Sequence, residues 1–124
     1  MKKFYFPINT KWFFIFFIFK ITFTTVYAQD CTNDSQSPFF SLKSNYTISL
    51  DNSIDISLSA KDLVSLCIDN CTLLENMKFS FSKDVQDQKM KVVNSPGLKI
   101  SVQVYATDQA GNQSSASTEI TVTK

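Results

Sequence analysis

The chain closes on Leu98–Lys124, LKISVQVYATDQAGNQSSASTEITVTK, and this stretch decides the fold. Leu98, Ile100, Val102, Val104 and Ala106 fall on one face of a period-2 strand, with Lys99, Ser101, Gln103, Tyr105 and Thr107 on the other. Ile120 and Val122 resume the alternation beyond Asp108-Gln109-Ala110-Gly111-Asn112. That is the pattern of a long, half-buried antiparallel hairpin. Its turn signature is Asp108, Gly111 and Asn112: the Asp side chain caps the turn while Gly111 or Asn112 takes positive φ.

Upstream, the same reasoning places further short strands. Tyr46, Ile48 and Leu50 alternate with Thr47 and Ser49, then Ile54, Ile56, Leu58 and Ala60 alternate with Asp55, Ser57 and Ser59. With Asp51-Asn52-Ser53 as a turn, the two segments are expected to form a hairpin. Lys61–Leu66 reads as one helical turn, followed by a polar loop, Cys67-Ile68-Asp69-Asn70-Cys71. Met77, Phe79 and Phe81 share a face, Lys83–Gln88 is a solvated turn, and Lys89–Asn94 is a strand with Met90 and Val92 inward. In Asn94-Ser95-Pro96-Gly97, proline sets φ at one corner and glycine permits positive φ at the next. About seven short strands at intervals of roughly 8–12 residues predict an all-β antiparallel sandwich.

The other end of the chain carries an export pattern. Lys2 and Lys3 form a positive start, Trp12–Phe19 is an unbroken apolar run, and Val26-Tyr27-Ala28 resembles a small-residue cleavage site. The run is shorter than the roughly 18 residues a spanning helix needs, and Lys20 interrupts its continuation, so a signal peptide over 1–28 is expected rather than an anchor. No membrane insertion follows cleavage. Of the 124 residues, 96 then remain, with eight lysines, no arginine and eleven acids, a formal charge of −3 (8 − 11). Such a chain makes one modest core and offers no cationic surface for nucleic acid. Residues 29–40 read as a polar leader or linker, and 41–124 as the folded domain.

Few residues invite chemistry. Histidine is absent, which removes the commonest general base, the Ser-His-Asp and Cys-His arrangements and most zinc sites. No catalytic residue, cofactor-binding site or metal site is expected. Asp108 alone is too few oxygens for calcium, and nothing in the strand pattern brings Asp51, Asp62 or Asp69 to it. Four N-x-[ST] sequons occur, at Asn33, Asn45, Asn70 and Asn112. Three cysteines, Cys31, Cys67 and Cys71, allow three pairings. Proximity favours Cys67 with Cys71, which leaves Cys31 as an odd thiol in a flexible leader and a route to a disulfide-linked dimer.

Val102–Ser115, VQVYATDQAGNQSS, resembles the closing hairpin of hyalin-repeat-like (HYR-like) and related bacterial immunoglobulin-like domains. Tyr46–Leu50, Ile54–Leu63 and Asp69-Asn70-Cys71 are similar to the upstream order of such repeats in large secreted proteins of Gram-negative bacteria. The resemblance covers about residues 41–124. It implies an immunoglobulin-like β-sandwich and an exported, non-enzymatic role in interaction or adhesion, secreted, at the cell surface or in the periplasm, with a protein or glycan partner. Two alternatives are a fragment or spacer of a larger multi-domain adhesin and a small secreted hydrolase. Such repeats often carry one cysteine near the start of the first strand and another in the last. Here those places hold about Leu42 or Lys43 and Ala116, so that crosslink cannot form.

Export with cleavage after Ala28 is tested directly: N-terminal sequencing of the exported protein is expected to begin at Gln29. An intact Met1 terminus in the membrane fraction would show an anchor instead.

Overall fold

The structure, a computed structural model, describes residues 31–50 and 54–124. The expected signal peptide and cleavage site, Gln29-Asp30 and the turn expected at Asp51-Asn52-Ser53 lie outside the described residues. Eight strands are described: β1 Phe39–Leu42, β2 Tyr46–Ser49, β3 Asp55–Ser59, β4 Val64–Ile68, β5 Lys78–Ser80, β6 Lys89–Val93, β7 Lys99–Thr107 and β8 Gln113–Thr123. Two short 3₁₀ turns, Ala60–Leu63 and Leu74–Asn76, accompany them among the described residues. The chain is an all-β sandwich, as the strand spacing predicts.

The closing hairpin is the spine of the larger sheet, ordered β2-β8-β7-β5. β7 and β8 pair from Lys99 with Thr121 to Thr107 with Gln113. Val102, Val104, Ala106, Ile120 and Val122 are buried on its inner face. The turn between Ser95 and Leu98 that feeds it closes through Leu98 N donating to Ser95 O at 3.0 Å, with Gly97 at φ 85°. That geometry is the proline-then-glycine turn expected there.

The opposing layer is made of two ribbons, β1 with β4 and β3 with β6, both antiparallel. β3 and β4 are consecutive, separated only by the Ala60–Leu63 turn, so the helical turn expected over Lys61–Leu66 is corrected: a 3₁₀ corner ends at Leu63, and Val64–Leu66 already belongs to β4. Asp62 steadies that corner by accepting from Ser59 N at 3.3 Å, and Ala60 and Leu63 are fully buried. Phe40 from β1 meets Phe79 from β5 across the core, ring centroids 6.5 Å apart.

Two strand expectations need correction. β2 and β3 do not form a hairpin: β2 runs parallel to β8, Tyr46 opposite Ile120, and β3 pairs antiparallel with β6, Asp55 opposite Val93. Period-2 alternation fixes which residues share a face but not which strand lies alongside. Nor is β3 buried along its length. Leu58 and Ala60 are in the core, whereas Ile56 is 41% and Ile54 84% exposed. Alternation points these side chains to one side, and only the half with packed elements opposite is covered.

β1 lies against β8. Ser114 Oγ donates to Pro38 O, and Thr118 Oγ1 to Lys43 O at 2.9 Å. Ala116, between these two residues, and Leu42 pack on the core. Two side-chain hydrogen bonds and a small inward residue thus fasten β8 to the two ends of β1.

Val104 and Ile120 have no exposed surface. Val104→Ala or Ile120→Ala is expected to lower unfolding free energy by about 1–4 kcal/mol. Gln103→Ala and Thr121→Ala, on the outer face, are expected to stay within about 0.5 kcal/mol. Urea denaturation of the four variants checks this.

Candidate functional site

Three segments remote in sequence meet at one end of the sandwich: the leader from Cys31 to Pro38, the loop Asp69–Thr72 after β4, and the β7–β8 turn. The first two are joined by the disulfide Cys31–Cys71, Cα atoms 5.5 Å apart. This corrects the pairing favoured by proximity. In β4, strand alternation turns Cys67 inward, directly opposite Phe40, and both are buried. Cys67 is therefore the free cysteine and a core residue rather than a loop residue. Cys31 is consumed within its own chain, which closes the expected route to a dimer through that thiol.

The energetics agree with the observed pairing. On the chain-entropy view, a crosslink spanning 40 residues stabilises by about 4 kcal/mol, against about 2 kcal/mol for one closing only Cys67 to Cys71. The leader is accordingly not a free tether. Asn70 Nδ2 donates to Asp34 Oδ1 and Asn112 Nδ2 to Asp34 O, both at 3.1 Å, and Pro38 is buried.

Each loop is shaped by an aspartate accepting from local backbone. Asp69 Oδ2 accepts from Cys71 N at 3.0 Å and Thr72 N at 2.8 Å. Asp108 Oδ1 accepts from Asn112 N and Asp108 Oδ2 from Asn112 Nδ2, both at 2.8 Å. Gly111 takes φ 93°, as the turn signature requires. Thr72, buried, ties the two loops together by accepting from Gln109 N at 3.1 Å.

The result is a group of carboxylates that sequence reading does not find. Asp34, Asp69 and Asp108 each offer an oxygen, and these atoms lie within 4.8 Å of one another. Asp108 is 4% exposed and the other two are half-buried. Asp34 Oδ2 and Asp69 Oδ1 are shut off from solvent and accept no hydrogen bond. Of the acids weighed from sequence, Asp69 does converge on Asp108, Asp62 is engaged at the 3₁₀ corner, and Asp51 lies outside the described residues. Asp34 comes from the leader and could be found only through the correct disulfide.

Among the sequons, Asn33 and Asn45 are exposed, whereas the Asn70 and Asn112 amides are spent on hydrogen bonds to Asp34. The Cys67 thiol is pushed above its ordinary pKa, first by burial and second by the charge of Asp69, which keeps it protonated and a poor nucleophile.

No family model matches the chain, and no curated protein sequence matches it.

Peptide mapping under non-reducing conditions is expected to recover one crosslinked species joining Cys31 to Cys71. Iodoacetamide at pH 8 should leave native Cys67 at least tenfold slower to alkylate than the urea-unfolded chain. Rapid native alkylation of Cys67 would mean that β4 does not seal it.

Proposed function

We propose that the chain is an exported, non-enzymatic immunoglobulin-like module that works by contact with proteins or glycans outside the cytoplasm. One observation carries the contact reading. On the outward face of the β1–β4 ribbon, Phe39 sits opposite Ile68, and Leu66 follows two residues along. All three are exposed, Phe39 by 63%, Ile68 by 56% and Leu66 by 49%. Large apolar side chains grouped on one strand face cost solubility without stabilising the fold, which is the mark of a surface used for association.

Export is supported by the Lys-rich start with its apolar run and by the Cys31–Cys71 disulfide, which suits an oxidising compartment. Among the described residues, no helix is long and apolar enough to cross a membrane. A non-enzymatic role is supported by a sequence without histidine. Its resemblance to HYR-like modules points the same way.

Binding of the fluorescently labelled protein to the outside of intact cells of its own source tests this reading. Phe39→Ser with Ile68→Ser is expected to weaken binding at least tenfold, about 1.4 kcal/mol, with unchanged unfolding temperature. Unaltered binding by the double variant would remove this ribbon face as the contact surface.

A further inference from the structure

We propose that Asp34, Asp69 and Asp108 form a calcium site that fastens the leader to the two loops. This does not rest on the export or contact reading. The first observation is convergence: three carboxylate oxygens from three separate segments lie within 4.8 Å of one another. Any three points so spaced share a centre no more than about 2.8 Å from each, close to the 2.3–2.6 Å of calcium–oxygen bonds. Magnesium, at about 2.0–2.1 Å with strict octahedral demands, fits less well.

The second observation is independent of the crowding. Asp34 Oδ1 accepts from Gln36 N and Asn70 Nδ2, and Asp69 Oδ2 accepts from two backbone amides. Their sibling oxygens, Asp34 Oδ2 and Asp69 Oδ1, are buried with no hydrogen-bond partner. A carboxylate oxygen withdrawn from water without a donor is costly, and a cation is the partner that answers both the orphaned oxygens and the mutual repulsion. No lysine does so: the ion pairs among the described residues are Lys91 with Asp55 and Lys99 with Glu119.

The donor chemistry selects the ion. Every donor is oxygen, the nearby sulfurs of Cys31 and Cys71 are tied up in the disulfide, and the chain has no histidine. Soft or borderline metals such as zinc and copper are therefore disfavoured against a hard divalent cation. Solvent would complete its shell.

The test uses the full chain, stripped of metal and titrated with calcium chloride at constant ionic strength. Calorimetry and unfolding temperature are read together. Saturable binding of one ion per chain, in the ~10⁻⁵ to 10⁻³ M range, with a rise of several degrees, is expected. Magnesium chloride should give a clearly smaller rise. Asp34→Asn keeps the Oδ1 acceptor and is expected to abolish the calcium response. In chelator the same variant should unfold no lower than the parent, because one repelling charge is gone, which separates ligation from a purely structural role. Asp55→Asn, on the β3–β6 ribbon, should keep the full response. The parent titration decides even if a variant fails to fold. No saturable heat and no shift up to about 10 mM calcium would overturn the site, as would a full response in Asp34→Asn.

Discussion

The ladder between β7 and β8 is the constraint on which the rest of the molecule depends. Its nine paired positions hold Val102, Val104, Ala106 and Ile120 in a single inner face, which Val122 continues just beyond the last pair. Each buried valine or isoleucine contributes about 1.5–3 kcal/mol, so this hairpin supplies a large share of a small core. Both flanks of the hairpin then serve as templates. β5 adds along β7 with Phe79, and β2 adds parallel to β8 with Ile48. The second layer, split at the Ala60–Leu63 corner, closes over the face so formed.

The Cys31–Cys71 bond extends that order to the segment ahead of the first strand. Without it, Cys31–Pro38 is a polar segment with little apolar surface to bury, and its ordering entropy would be met by a few hydrogen bonds alone. With it, the leader is closed onto the Asp69–Thr72 loop, and Asp34 is delivered beside two other acids. Like charges brought together by a covalent tie are tolerated because the tie acts on the unfolded chain rather than on the repulsion. The β1–β8 contacts made by Ser114 and Thr118 complete the fastening on the other side of the leader.

How much of this was legible follows from which forces are local. The closing hairpin, the Pro96-Gly97 turn and the inward pair Met90 and Val92 are readable because alternation and turn chemistry act within a few residues. The partners of β2 and β3 are not, since register and neighbour choice are settled by burial across the whole sheet. The cysteine pairing escapes sequence reading for a related reason. Proximity along the chain suggested Cys67 with Cys71, but Cys67 belongs to a strand, and the strand's pleat commits its sulfur to the core. The carboxylate cluster was then invisible as a consequence: Asp34 stands three residues after Cys31 and Asp69 two before Cys71, so only the true pairing brings them together.

Within the cluster the three acids divide their duties unequally. Asp108 spends both oxygens on Asn112, and that pair shapes a turn that is satisfied without any ion. Asn112 in turn reaches the leader through Asp34 O, so the end of the hairpin and the start of the domain are registered by one amide. Asp34 and Asp69 each leave one oxygen over. The fold therefore does not need a cation to form its turn, because the hairpin's own chemistry has closed it. What a cation would change is the docking of the leader and the Asp69 loop onto that finished turn. The disulfide already limits how far those two segments can part, which keeps their carboxylates close to Asp108 and lowers the ordering cost of ligation. A covalent crosslink and a reversible ionic one would then act on the same two segments, the first fixing their proximity and the second their arrangement.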